Sequence, residues 1–160
     1  MIIALFAVDD AGGMGNNGNM PWPANRDDMK WFRSTTQDQV VVMGRRSWES
    51  PDMPKPLPKR HNVVFTHNFF ENQQVEQIRG DVVSGLNYIQ ERHSDKNVFV
   101  IGGPAILKQA RPIIEQALIT KITGEYPCDT RINLSEFLSE MKFIEEIDLG
   151  SCKVEKYERI

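Results

Sequence analysis

The chain has 160 residues, 40% of them hydrophobic and 26% charged, with a formal net charge of −3 at pH 7. That length suits one domain over residues 1–160 with one sizeable core, and a mildly acidic balance without a basic run argues against nucleic acid as a partner. The two cysteines, Cys128 and Cys152, form no C-x-x-C pair and fit a reduced, cytoplasmic protein, while His61, His67 and His93 lack ligand spacing, so no metal is expected.

Met1 to Val8 is continuously apolar, has no basic flank and stops at Asp9-Asp10. That is too short for a membrane span and unlike a signal peptide; it predicts a strand buried on both faces. Asp10 to Asn19 is a loop rich in Gly and Asn. Within it, Gly13-x-Gly15-x-x-Gly18 matches the dinucleotide fingerprint, with Asp38 about twenty residues on. The last glycine of that fingerprint must open a helix, and here it opens onto Asn19-Met20-Pro21-Trp22-Pro23, which cannot start one. The Rossmann reading is rejected. The glycines instead let a long loop change shape and approach a ligand closely.

Asn25 reads as the N-cap of a helix running to Thr36. With Asp28 at zero on a helical wheel, Thr35 falls at about −20°, Phe32 at about +40°, Trp31 at about −60° and Met29 at about +100°. Arg26, Lys30 and Arg33 take the opposite side, and Asp27 lies at about −100°, near the boundary. Asp28 therefore sits at the centre of the apolar arc, where desolvation raises a carboxyl pKa. Acids in a first helical turn are also common for electrostatic reasons, so the wheel alone leaves a structural role open. The neighbouring Gly-rich loop favours a site with a mobile lid.

Gln39 to Met43 is a β-branched strand ending in Gly44-Arg45-Arg46-Ser47, a strand-to-helix turn suited to an anion, although paired arginines are equally a solvated surface. Four prolines between Pro51 and Pro58 demand an extended loop, with Arg60 just beyond. Asn62 to Thr66 is a strand, residues 68–79 carry no signal, Asp81 to Val83 reads as a short strand, and Ser84 caps a helix to His93 with Leu86 and Ile89 turned inward. Asn97 to Ile101 is the central buried strand, ending in Gly102-Gly103-Pro104, where Pro104 starts the next helix. Leu118 to Thr123 is a further strand. Lys142–Asp148 and Lys153–Ile160 form an antiparallel pair about Gly150. The alternation predicts an α/β fold: a mainly parallel, twisted central sheet with an antiparallel C-terminal strand pair and helices on both faces.

Five collinear pieces resemble the dihydrofolate reductase family: Gly15-x-x-Gly18-x-Met20-Pro21-Trp22, Asp28-x-x-Trp31-Phe32, Val42-Met43-Gly44-Arg45-x-Ser47-Trp48-Glu49-Ser50, Pro56-Leu57-Pro58-x-Arg60 and Val100-Ile101-Gly102-Gly103. The match covers nearly the whole chain. It implies a cytoplasmic monomer that moves a hydride from NADPH to C6 of 7,8-dihydrofolate, with protonation at N5, in support of one-carbon metabolism. It also implies antifolates such as trimethoprim or methotrexate as small-molecule partners.

Carried over residue by residue, the resemblance makes Asp28 the acid of the pterin pocket, with Met20 at the centre of a lid, and Trp22 and Thr120 beside the acid. Ile3, Leu5, Met29, Phe32, Ser50, Leu57 and Ile101 join Thr120 around the substrate, and Arg60 grips the α-carboxylate of its glutamate tail. Leu5, Ala7, Met14, Gly15, Asn16, Asn19 and Met20 are implied along the nicotinamide half of the cofactor. Gly44, Arg45, Arg46, Ser47, Thr66 and His67 fall to its phosphates, and Ile101, Gly102, Gly103, Pro104, Ala105, Ile106, Leu107 and Gln109 to the other wall. Relatives have a cis peptide between the two glycines, and Ala105 departs from an arginine present in some of them. Asp129-Thr130 matches a loop that steadies the lid. Two other readings stay open: a pterin or pyrimidine reductase of the riboflavin-pathway type, which needs neither Asp28 nor Arg60, and a non-catalytic nucleotide- or folate-binding protein.

Overall fold

The computed structural model describes residues 1–160. In chain order, β1 (Ile2–Val8) and the short β2 (Gly13–Gly15) precede α1 (Arg26–Thr36), and β3 (Val40–Gly44) runs into the single-turn α2 (Arg45–Trp48). There follow β4 (His61–Phe65), β5 (Glu76–Ile78), α3 (Val82–Arg92), β6 (Val98–Gly102) and α4 (Pro104–Ala110). After a 3-10 turn at Arg111–Ile113 come β7 (Gln116–Lys121), β8 (Thr130–Arg131), α5 (Leu134–Phe137), β9 (Met141–Asp148) and β10 (Lys153–Arg159). Eight strands form one sheet in the order β5-β4-β3-β6-β1-β7-β10-β9. The first six are parallel, and β10 runs against both its neighbours.

β1 is buried on both faces because side chains alternate with period two. Ile2, Ala4, Phe6 and Val8 enter one core cluster, roofed by α3 and α4 through Leu86, Ile89, Ile106 and Leu107. Ile3 and Leu5 enter the other, where Trp31 and Phe32 of α1 and Trp48 of α2 pack. Helices thus cover both faces, as the alternation of elements predicts.

Among the elements that differ from the sequence reading, two lie in the middle of the chain. Val82 and Val83 open α3 instead of forming a strand, and Asp81 rather than Ser84 is the N-cap, its carboxylate accepting the Ser84 N–H at 2.9 Å. Asp and Ser cap about equally well, so the β-branched pair misled; three residues cannot hold a strand where no neighbour offers a ladder. Conversely, β5 exists within the signal-free stretch because β4 does offer one, with Val63 opposite Glu76.

The strand order also locates a cleft. β3 passes the chain outward to β4, whereas β6 passes it the other way, across β1, to β7. Ligands of open α/β sheets bind outside the carboxyl ends of strands at such a reversal. Those ends are Gly44 and Gly102.

Candidate active site

Asn25 caps α1 with its side-chain oxygen, which accepts the Asp28 N–H at 3.0 Å. The two neighbouring acids then diverge. Asp27 turns outward, accepting hydrogen bonds from the Ser151 hydroxyl (2.6 Å) and N–H (3.1 Å) that hold its carboxyl below the ordinary range. Asp28 turns in and is 8% exposed. Burial pushes its carboxyl above the ordinary range, opposed in part by hydrogen bonding to the Thr120 hydroxyl. Thr120 is buried on β7 beside Ala7 of β1, on the sheet face that carries Leu118. Asp28 therefore turns inward, the direction the wheel predicts, and there meets Thr120 and the β1 face.

Ile3, Leu5 and Leu57 lie in the same core cluster, with Phe32 and Ile101 packed on it half-buried. Met29 does not join them and is 57% exposed. It stands about 100° from Asp28 on the wheel, at the margin of the arc, where α1 meets solvent. The Arg60 guanidinium lies 5.7 Å over the Phe32 ring, and its Nε is buried without a hydrogen-bond partner. Burial, together with Arg33, pulls Arg60 below the ordinary arginine range, which marks it as a cation in want of an anion.

The glycine-rich loop is more structured than its composition suggests. β2 pairs with β8, and the Asp129 carboxylate accepts the Asn17 N–H at 2.9 Å while its own N–H donates to the Gly15 carbonyl at 3.0 Å. Asn16 and Asn19 bridge each other. The Met20 N–H donates to Asp52 Oδ2 at 3.2 Å, and the Ser50 hydroxyl donates to the Gly18 carbonyl. Ser50, expected at the substrate, thus tethers the loop. Met20 is half-exposed at the apex, whereas Trp22 is buried against Ile122, Cys152 and Tyr126 with its indole N–H unpartnered.

Sequence reasoning missed Asp9. It is fully buried, and its carboxylate accepts N–H groups from Ala11 (2.9 Å), Gly13 (2.8 Å) and Tyr126 (3.0 Å). Burial pushes its pKa up, but these hydrogen bonds outweigh that and leave it lowered. Gly13 is required here for packing: a Cβ would stand 2.2 Å from Cys128 Sγ. An Asp at the end of an apolar strand, followed by glycines, is the signal that could have found this post.

At the other end, Gly102 has φ +124° and a cis peptide to Gly103, as the resemblance implies. A Cβ at Gly44, Gly102 or Gly103 would meet nothing nearer than 3.8 Å, so backbone faces an open cradle, with Met14 and Ser47 at its rim. Neither α2 nor α4 has a side-chain cap on its first turn. This fits a long phosphate-bearing ligand such as NADPH. With only four residues α2 has little macrodipole, so charge there must come from side chains. Arg46 is exposed, and Arg45 pairs with Glu49, donates to Thr66 Oγ1 at 2.9 Å and stacks on Phe70. His67 is exposed one residue beyond buried Thr66. Pro104 starts α4 as expected and Ala105 is exposed on its first turn, but two of the residues expected near the cofactor are taken up in the core. Ile106 and Leu107 are buried core, the Leu107 N–H donates to the Gly103 carbonyl, and the Gln109 amide donates to the Ala105 carbonyl. On a helix lying over the sheet, inward positions at this spacing go to packing.

Away from this cleft, folding brings together His61, Glu76 and His93, whose separation in sequence hides their proximity.

The family model for dihydrofolate reductase matches residues 1–156. The chain is 31% identical over 153 residues to dihydrofolate reductase type 8 of Escherichia coli, covering 91% of this chain and 89% of the relative. It is 28% identical over 163 residues to the dihydrofolate reductase of Mycoplasma pneumoniae, covering 100% and 99%. In fold it is similar, at TM-score 0.82 and 23% identity over 99% of this chain and 96% of the other, to the Enterococcus faecalis dihydrofolate reductase solved with NADP(H) and RAB-propyl. With a buried acid on α1, a cradle at the β3/β6 reversal and a match running almost end to end, this chain belongs to the dihydrofolate reductase family.

Proposed function

We propose that Asp28 is the acid through which this reductase promotes protonation of its substrate, in the family's NADPH-dependent reduction of 7,8-dihydrofolate to 5,6,7,8-tetrahydrofolate. The observation that carries the assignment is that Asp28 is the buried acid of α1, with Thr120 against it. A buried carboxyl whose pKa is raised above the ordinary range can hydrogen-bond a pterin, orient its ring and favour a proton at N5. NADPH, when bound, supplies the hydride for C6.

The chain's residues divide the rest of the work. Ile3, Leu5, Phe32, Leu57 and Ile101 exclude water from the ring, and Arg60 pairs with a carboxylate of the glutamate tail as a planar fork. Gly44, Gly102 and Gly103 admit the cofactor's backbone-facing edge, with Ser47, Arg45, Arg46, Thr66 and His67 towards its phosphates. Met14, Gly15, Asn16, Asn19 and Met20 close over the nicotinamide end, steadied by Asp129. The protein acts as a cytoplasmic monomer of one domain; an eight-stranded sheet that draws on both ends of the chain supports the single domain, and two free cysteines suit a reducing compartment. No helix is long and apolar enough to cross a membrane.

The test is turnover: protein, NADPH and dihydrofolate are mixed and nicotinamide absorbance is followed. Loss of absorbance is expected. An unchanged trace with dihydrofolate, or equal rates in Asp28→Asn, would sink the assignment.

A further inference from the structure

We propose that His61, Glu76 and His93 form a binding site for one divalent transition-metal ion of the zinc type, stapling the sheet edge to helix α3. His61 opens β4, Glu76 opens β5, and His93 is the C-terminal cap of α3. One ligand atom from each lies within 4.8 Å of the others. Ligands about 2.1 Å from a tetrahedral zinc stand about 3.4 Å apart, so small ring rotations close the site. Two imidazoles and a carboxylate suit a zinc-like ion rather than calcium or magnesium.

Three features argue for a site rather than a chance cluster. The two imidazole rings lie 4.6 Å apart at 37°, with a ligand atom of each within 4.8 Å of a carboxylate oxygen of Glu76. His93 Nε2 is buried with no hydrogen-bond partner, which a simple His–Glu pair would leave unexplained. The Glu76 carboxylate is split: Oε2 accepts from Arg92 at 2.7 Å, and Oε1 lies 2.8 Å from His61 Nε2. Arg92 thereby orients the carboxylate from outside, as the hydrogen-bonded supports of metal ligands do. On binding, the ion displaces the His61–Glu76 hydrogen bond and takes Oε1, while Oε2 stays with Arg92. The site lies at the amino ends of β4 and β5. Thr66, just past the carboxyl end of β4, is five residues away, about 16 Å at about 3.3 Å per residue. The ion is therefore structural and apart from the hydride chemistry.

Zinc chloride titrated calorimetrically into the full-length, chelator-stripped protein tests this, alongside NMR of the histidine rings during the same titration. We expect one equivalent to bind, with the His61 and His93 ring resonances moving together and that of His67 unmoved. His61→Gln and His93→Gln should each weaken binding at least about tenfold, the loss typical of disturbing even outer contacts of a metal site. Zinc should raise the melting temperature of the parent but not of His93→Gln, with dihydrofolate turnover unchanged in both. Absence of binding overturns the proposal, as does binding that leaves the His61 and His93 rings unmoved or persists undiminished in both variants. The NMR arm needs only the parent protein, so a variant that fails to fold does not protect the idea.

Discussion

Burial that lifts the Asp28 carboxyl above its ordinary range also sets it against stability at neutral pH. The unfolded chain loses that proton at a lower pH than the folded one. Stability from this group is therefore present below the unfolded value of about 3.9 and is lost as pH rises through the raised folded value. Asp28→Asn should then melt no lower than the parent at pH 7, while turnover falls about 10²- to 10⁴-fold, the range of a lost general acid. Asp27→Asn, whose carboxylate serves Ser151, should keep most of the activity. Calorimetry and steady-state kinetics on the pair decide; a reversed outcome would move the acid to Asp27. Arg60→Lys keeps the charge but loses the fork. KM for dihydrofolate should rise about tenfold to a hundredfold with kcat little changed, matching about 1.5–3 kcal/mol for a charged hydrogen bond. Asp28 was legible because helical period and N-cap alone set its direction. Asp9 was not, because its donors come from Tyr126 as well as from its own loop.

The lid shows how elements are fixed by distant partners. β2 exists because β8 pairs with it, and Asp9 holds the turn between β1 and β2. Asp9→Ala should cost about 2–4 kcal/mol, since it leaves the buried Gly13 N–H unsatisfied at about 1–3 kcal/mol and the partly buried Ala11 and Tyr126 N–H groups at less; the urea midpoint measures it. With its folded pKa lowered, Asp9 stabilises the protein above the ordinary carboxyl value, and that contribution disappears as pH falls through the folded value. The acid limb of a stability–pH curve should therefore flatten in Asp9→Ala. The glycines of this loop were readable as a device for close approach. That Gly13 makes room for Cys128, and that the Ser50 hydroxyl reaches the Gly18 carbonyl, followed only from contacts across the chain.

At the scale of the whole molecule, Ile106 and Leu107 belong to the core under α4, though their place after Gly102-Gly103 suggested the cofactor. Leu107→Ala should lose about 2–5 kcal/mol of stability, with the KM for NADPH unchanged at a temperature where the variant is folded. A raised KM instead would return Leu107 to the site. The sequence by itself determined which segments are strands and helices wherever period and caps are strong, the α/β class, and the inward direction of Asp28. These depend on neighbours three or four residues away, which the chain carries with it. Tertiary structure alone decided the strand order whose reversal falls between β3 and β6, the partner that makes β5 a strand, and the meeting of His61, Glu76 and His93. Such pairings depend on free energy gained only when remote segments are brought together, and no local pattern encodes that distance.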